Sequence, residues 1–162
     1  MNNLSQVSDS IFNNIRSILE DDRSRAYRSI NFIMVEAYWN IGRIIVEEEQ
    51  KGKRRAELGK QLIADLSRQL TAAYGRGFDP SNLRYMRLFY LHFLICDALR
   101  HKLDGDNDVR NLPTSDLTQY LRLEITWTHY RLLLRIENPQ ARSFDMNEAA
   151  YNGWSTRELY RW

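Results

Sequence analysis

Apolar residues recur at three- and four-residue steps along most of this chain, and helix-breaking residues are rare among them. The 162 residues include only seven glycines and three prolines, and no segment alternates apolar and polar residues as a half-buried strand does. The clearest repeat places Leu58, Leu62, Leu66 and Leu70 at strict four-residue steps along one helix face. The sequence therefore predicts an all-α fold built from several helices.

Capping residues and turns predict where the helices begin and end. A first helix is expected over residues 8–19, and a second, long helix over 24–49. The third, over 56–74, ends before Gly75, and the fourth starts after Asp79, a good N-cap, and runs to about residue 99. Residues 101–111 are polar and predict a loop, and further helices are expected near 114–122, 126–136 and 139–151. The second helix carries an amphipathic apolar stripe, which on the scaffold hypothesis below would be buried between copies of the chain: Ala26, Ile30, Ile33, Ala37, Ile41 and Ile44.

The last predicted helix opens with a capping box. The Ser155 side chain can accept from the backbone N–H of Glu158, and the Glu158 carboxylate can accept from the N–H of Ser155. Helices that begin with such a cap usually run for ten residues or more, so we expect the natural protein to continue beyond Trp162. Trp154 precedes the cap and is expected to pack inward, against Leu159 and the helix near 127–134, while Trp162 stays exposed.

Composition excludes several classes of protein. A hydrophobic content of 43% with 27% charged residues is typical of a soluble globular domain and not of a disordered chain. No stretch approaches the roughly 20 apolar residues of a membrane span, and no N-terminal signal sequence is present, so we expect a cytoplasmic protein with no membrane partner. The single cysteine, Cys96, cannot form an internal disulfide and is expected to be a small buried side chain. The net charge of +2 does not by itself indicate a nucleic-acid binder.

Residues 58–93 have the order helix, glycine-containing turn, helix that is typical of a helix-turn-helix. Five basic and two acidic side chains give this segment a net charge of +3, more than the whole chain carries. Its second helix is expected to point polar side chains outward from its first turn, but it is apolar around most of its circumference. Burial in the core or at a subunit interface therefore stays an open alternative to DNA recognition. The candidate DNA contacts in this unit are Lys60, Arg76, Asn82, Arg84 and Arg87.

A second helix-turn-helix-like unit is expected over residues 127–162. His129 and Arg131 follow Trp127 within a turn and a half of helix, and Arg157 opens the last helix. On the DNA-binding hypothesis these three side chains contact DNA, and His129 is expected either to be hydrogen-bonded within a packed helix or to face a phosphate. His129 has no second histidine, cysteine or carboxylate at a spacing that would build a metal site or a catalytic triad.

The sequence predicts no catalytic residue, metal site or cofactor within this chain. Glu49-Gln50-Lys51 matches the end of the PD-(D/E)xK nuclease signature, whose carboxylates hold Mg²⁺ beside a lysine. That chemistry needs residues on adjacent strands, whereas this triplet closes a predicted helix. We interpret it as a chance match.

Four motifs in order give the chain its family resemblance. They are Tyr38–Ile45, then Tyr74–Phe78 with Asn82–Tyr90, then Trp127–Leu133, and finally Trp154–Leu159. In this order and spacing they resemble the N-terminal domain of the YhcG-like family of bacterial predicted nucleases, across nearly the whole chain. The resemblance implies an all-helical domain of unknown function that precedes a C-terminal PD-(D/E)xK nuclease domain. It also implies that the catalytic residues lie beyond Trp162.

We therefore expect residues 1–162 to be one N-terminal module, with sub-units 1–100 and 112–162, followed by its own nuclease domain. The leading hypothesis is a non-catalytic module that binds DNA and targets the nuclease. The alternative is an oligomerisation or partner-docking scaffold, in which apolar helix faces join copies into a homo-oligomer. The two are compatible, since helix-turn-helix proteins commonly bind paired half-sites as dimers. A free-standing transcription regulator is a third reading, and it requires that the protein end at Trp162.

Overall fold

Six helices form the part of the chain that the structure, a computed structural model, describes. That part covers residues 3–51, 56–104 and 121–162, with side chains placed for 6–51, 59, 61–93 and 121–162. These ranges contain no strand, so the prediction of an all-α fold is confirmed. In chain order the helices are α1 (Asn3–Lys51), α2 (Ala56–Tyr74), α3 (Pro80–Asp104), α4 (Trp127–Leu133), α5 (Pro139–Asn152) and α6 (Thr156–Arg161).

The first two predicted helices are one continuous helix, α1, so the predicted break after residue 19 was wrong. No glycine or proline stands in this region to interrupt the backbone. The charged residues at the expected break pair along the helix instead: the Arg16 Nε lies 2.7 Å from Glu20 Oε1, and an Arg25 nitrogen lies 3.5 Å from Asp22. Helix α3 also extends to Asp104, into the segment predicted as a loop, and most of the helix expected at 114–122 falls outside the described residues.

Local capping chemistry sets the other boundaries as predicted. Asp79 accepts from the backbone N–H groups of the first turn of α3, at Ser81 (3.0 Å) and Asn82 (3.1 Å). Both hydrogen bonds of the capping box at the start of α6 are present: Ser155 N donates to Glu158 Oε2 at 2.6 Å, and Glu158 N donates to Ser155 Oγ at 3.4 Å. The hydrogen bond from the Ser155 backbone lowers the pKa of the Glu158 carboxyl.

The largest apolar cluster lies where α3 meets α1, α4 and α5. Its centre is a set of tilted aromatic rings, with the Phe89 and Tyr130 centroids 4.7 Å apart and those of Phe93 and Tyr130 5.1 Å apart. The Tyr130 hydroxyl accepts from the backbone N–H of Arg122 at 2.9 Å, and burial raises the pKa of this phenol. A smaller cluster joins α1, α2 and α3 and consists of Ile45, Ile63, Leu83 and Met86.

Trp154 is half-buried against the larger cluster, as the sequence predicted, and its backbone carbonyl accepts from the His129 ring. Trp162 is 69% exposed, and its ring lies 4.9 Å from that of Trp154, centroid to centroid. The two indoles therefore support each other at the end of α6.

Most of the apolar stripe predicted on α1 lies away from the core, and Ile41 is the member that packs against the smaller cluster. Ile30, Ile33 and Ile44 are each about 60% exposed, at 61%, 60% and 59%. The residues that α1 buries instead are Val35, Trp39, Gly42, Ile45 and Val46. Since a residue two places along a helix lies about 200° round its axis, Ile33 and Ile44 point away from the body that Val35 and Val46 contact. Helix α1 therefore has two apolar sides.

None of the other described helices lies along the N-terminal half of α1. Every residue from 6 to 30 is exposed, and burial begins only with Asn31 and Phe32, which are half-buried. At about 1.5 Å per residue, the exposed stretch is on the order of 37 Å long.

Gly42 is the point of closest approach between α1 and α3. A Cβ added there would overlap the backbone carbonyl of Met86 and would lie 3.1 Å from the Cβ of Tyr90. Because the obstacle is backbone, a larger residue would force the two helices apart.

We predict that Gly42→Ala lowers the free energy of unfolding by about 3 kcal/mol through this overlap. Urea denaturation followed by tryptophan fluorescence measures the change. Gly59→Ala is the matched control, because it also lies in a helix but its Cβ would meet nothing closer than Glu49 Oε1 at 3.4 Å. The control should be neutral or stabilise by up to about 1 kcal/mol. Equal effects of the two substitutions would contradict the close contact.

Candidate nucleic-acid interface

The first two turns of α3 have an inner and an outer side. Leu83 and Met86 are fully buried on the inner side, against α1 and α2. Because a helix turns about 100° per residue, Ser81 and Arg84 lie on the opposite side, and both are exposed. This outer side is the part of the predicted helix-turn-helix unit that is open to a ligand.

An arginine from α4 extends this open side. The Arg131 guanidinium carbon lies 4.5 Å from the centroid of the Tyr85 ring, in a cation–π contact. Tyr85 is half-buried beside the exposed Arg84. We call Arg84, Tyr85 and Arg131 the arginine surface.

Neither arginine of this surface has a carboxylate partner in the described residues, and the same holds for Arg76 in the turn before α3. Arg87 differs, because its Nε lies 2.6 Å from Glu49 Oε2 and joins α3 to the end of α1. The predicted contact residue Arg87 is therefore held in an ion pair between helices. The guanidinium groups of Arg76, Arg84 and Arg131 are therefore available to an anion.

The structure corrects the expected orientation of Asn82. This residue was predicted to point outward, but it is only 9% exposed. Its Nδ2 donates to the Gly77 carbonyl at 2.6 Å, and its Oδ1 accepts from Trp127 Nε1 at 2.9 Å. Asn82 thus joins the α2–α3 turn to α4, and both ends of its amide are occupied.

His129 also points inward and is 6% exposed. Its Nδ1 lies 3.2 Å from the backbone N of Thr126, which can only donate, so Nδ1 accepts. Its Nε2 lies 2.9 Å from the Trp154 carbonyl, which can only accept, so Nε2 carries the proton. These bonds fit the neutral ring, and burial lowers the pKa of His129. The ring holds α4 to the segment before α6.

The other two candidates have no described contact with the arginine surface. Arg157 is exposed in the first turn of α6, on a different helix. The side chain of Lys60 falls outside the described residues. In the structure Arg131 contacts the ring of Tyr85, which follows Arg84 in the chain. The side chains of Asn82, Arg87 and His129 make contacts within the fold instead.

Sequence reasoning missed the buried arginine Arg142. It is 1% exposed, and its Nε donates to the Ile136 carbonyl at 3.0 Å, where the chain leaves α4. A signal was present, because Arg142 stands four residues before Met146 and seven before Ala149, both buried on the same side of α5. His92 lies near this cation, and burial together with the Arg142 charge lowers the pKa of His92.

The Glu49-Gln50-Lys51 triplet ends α1 rather than lying on a strand. Its glutamate is the partner of Arg87, as described above. Over the described ranges, no group of three histidine, cysteine, aspartate or glutamate side chains is arranged to hold a metal ion. None of the helices described combines the length and the apolar character that a membrane crossing requires.

Comparison with known proteins identifies the family to which the chain belongs. Residues 14–162 match the DUF1016 N-terminal domain, so the chain belongs to that family. Among individual proteins, it is 36% identical over 162 residues to "Putative nuclease YhcG" of Escherichia coli (strain K12). The alignment covers 93% of this chain and 43% of the relative, so the chain spans less than half of the relative's length. The resemblance to the YhcG-like N-terminal domain is thereby confirmed. No solved structure matches the chain.

We predict that acidification destabilises the protein through His129. The folded state holds this ring neutral with a pKa below the ordinary value of about 6.5, so the unfolded state takes up the proton first as the pH falls. Stability is then fully present above pH 6.5 and decreases below it, by up to about 1.4 kcal/mol per pH unit for one proton. Urea denaturation at pH 8 and at pH 5.5 measures the loss.

His129→Gln should make stability less dependent on pH, although it lowers stability at pH 8. The pKa of His92 is lowered in the same direction, so His92→Gln serves as the comparison that separates the two rings. An unchanged pH slope in His129→Gln would show that the ring is not held neutral.

Proposed function

We propose that this chain is the non-catalytic DNA-binding and targeting module of a bacterial nuclease of the PD-(D/E)xK type. The arginine surface is the observation that carries the proposal. The name of the E. coli relative supports a link to nucleic acid, and the relative is long enough to hold a nuclease domain in addition to the region aligned here. On this proposal the nuclease domain follows the present module in the parent protein.

The arginine surface suits a phosphate backbone with a base beside it. Guanidinium groups bind phosphate oxygens through paired N–H donors, and such contacts supply most of the affinity of DNA-binding proteins. The cation–π contact fixes Arg131 in place before any ligand arrives, which reduces the entropy lost on binding. Arg76, in the turn at the start of α3, adds a further positive charge, and Arg157 and Lys60 remain candidates for contacts farther along the ligand.

We predict that Arg84→Glu and Arg131→Glu each weaken DNA binding by at least tenfold at 50 mM salt. Each substitution removes a phosphate contact and adds a repulsive charge, so the plot of log affinity against log salt should also become shallower by about one unit. Fluorescence anisotropy with labelled duplex, branched and single-stranded DNA measures both quantities.

Arg68→Glu is the matched control, because Arg68 is exposed but already pairs with Asp65 at 2.7 Å. The control makes the same change in net charge, so a general loss of attraction would appear in it as well. Equal losses in all three variants would contradict a localised surface. Absence of binding to any of the DNA forms at low salt would contradict the proposal itself.

On this proposal the chain alone does not cleave DNA, and the chemistry belongs to the nuclease domain. Plasmid cleavage by the purified chain with Mg²⁺ or Mn²⁺, abolished in Glu49→Ala, would contradict this assignment. It would also show that the Glu49-Gln50-Lys51 triplet is more than a chance match.

A second candidate function, assembly of the nuclease into oligomers, has an observation of its own. The outer side of α1 exposes large apolar side chains along the stretch that no other described helix covers, including Ile15 and Leu19 at 52% and 55%. Contiguous apolar surface of this kind marks sites of protein association.

We predict that the 19.3 kDa chain elutes at twice its own mass at tens of micromolar, and that Leu19→Glu elutes as a monomer. Size-exclusion chromatography with light scattering gives the masses. Ile44→Glu is the control, because Ile44 is similarly exposed (59%) on the same side of α1 but lies beside the helical body. A wild-type monomer at all concentrations would contradict assembly without bearing on DNA binding.

A further inference from the structure

The exposed half of α1 cannot be explained by helix stability alone. Residues 6–30 contain many serines and asparagines, which are weak helix formers, and helices without tertiary contacts are marginal in water. Eight large apolar side chains nevertheless lie on the outer side and are each 52–64% exposed. They are Val7, Ile11, Phe12, Ile15, Ile18, Leu19, Ile30 and Ile33.

These side chains are nearly symmetric along the helix about a point between Asp22 and Arg23. If two antiparallel α1 helices are aligned at that point, each residue lies at the same height as one residue of the other copy. The numbers of the two residues at one height add to 45, as 22 and 23 do. Phe12 then meets Ile33 of the other copy, and Ile15 meets Ile30. Leu19 meets Ala26, so these three levels on either side of the centre each join two apolar side chains.

Charged residues also lie on both sides of this centre, acidic residues before it and basic residues after it. Glu20, Asp21 and Asp22 lie just before the centre, and Arg23 and Arg25 lie just after it. In the antiparallel arrangement Asp22 is level with Arg23 of the other copy, twice. Glu20 and Arg25 lie roughly 100° or more round the helix from Leu19, on opposite flanks, and do not pair across the contact. In a parallel arrangement the acidic residues would face one another and so would the arginines. The charges therefore select the antiparallel orientation.

The ion pairs that these groups form within one chain do not prevent this exchange. The pairs Arg16–Glu20 and Arg25–Asp22 are fully at the surface, with side chains 61–79% exposed. Such pairs contribute little to stability, so they can be shared with a second copy at low cost. Asp21 and Arg23 have no ionic partner among the described residues.

We propose that two copies of this chain dock through the outer sides of their α1 helices, antiparallel and centred between Asp22 and Arg23. This inference rests on the assembly function proposed above and adds its occupant, orientation and register. The contact runs from about residue 7 to residue 38 of each helix, and the second copy lies on the side of α1 away from α3.

The exposed apolar surface on the outer side of α1 is large enough for a stable dimer. An exposed side chain of this size offers roughly 100 Å² of apolar surface to a partner, so eight of them offer about 800 Å² per chain. Standard protein interfaces bury about 800 Å² per partner. Among the described residues, the other helices pack on the opposite side of α1, where Val35 and Trp39 are buried, and leave this approach open.

Cysteine cross-linking tests the orientation directly. In a Cys96→Ser background, which leaves no other thiol, Ile15→Cys and Ile30→Cys are prepared separately and then mixed. In the proposed register residue 15 is level with residue 30 of the other copy, whereas the two copies of residue 15 are about 22 Å apart. Disulfides need Cα atoms within about 7 Å, so the mixture should form a disulfide between the two variants and neither variant should cross-link alone.

A charge exchange tests the register by a second route. Asp22→Arg should weaken the dimer at least tenfold in sedimentation equilibrium, and the double variant Asp22→Arg/Arg23→Asp should recover most of that loss. The loss should shrink at 1 M salt, where charges are screened.

The outcomes separate this inference from the function on which it rests. A dimer in which either cysteine variant cross-links with itself, or in which the mixture forms no disulfide, keeps the assembly function and overturns the antiparallel arrangement. A monomer at every concentration contradicts both the antiparallel arrangement and the assembly function. The outer side of α1 would then bind another protein or the rest of the nuclease. A dimer that Leu19→Glu does not dissociate overturns α1 as the contact.

Discussion

The close contact between α1 and α3 at Gly42 is the constraint on which the rest of the structure depends. Only a residue without a Cβ lets the Met86 carbonyl approach α1 so closely. This approach brings Trp39 and Tyr90 into edge contact, with ring centroids 4.8 Å apart, and α3 is the helix that α1, α2, α4 and α5 all contact. The positions of all later helices follow from where α3 lies.

The same packing decides which polar side chains remain available for a ligand. Because α1, α2, α4 and α5 all pack against α3, polar groups near α4 that could have contacted DNA instead join helices to one another. Asn82 binds the indole of Trp127, and His129 binds the carbonyl of Trp154. What stays open is the outer side of the first turns of α3, where Arg84 and Arg131 lie beside Tyr85. A basic side chain is thus a candidate contact only where the helical body leaves it exposed.

Much of the fold could be predicted from the sequence, because caps and turns act over three or four residues. The starts of α3, α5 and α6 follow from Asp79, Asn138 and Ser155, each of which binds the first turn that it precedes. The direction in which α1 faces could not be predicted, since this helix is apolar on two sides and periodicity does not say which side meets the body. The inward orientation of Asn82 and His129 depends on hydrogen-bond partners 45 and 25 residues away, which no local pattern contains.

Hydrogen–deuterium exchange along α1 tests most directly the claim that its exposed half is completed by a second copy. The account predicts that amides of residues 6–30 exchange slowly at 100 μM and much faster at 1 μM, because the helix is stable only when paired. Amides of residues 35–46 should exchange slowly at both concentrations, since α3 covers them. Exchange over residues 6–30 that is the same at both concentrations, whether fast or slow, would contradict the account.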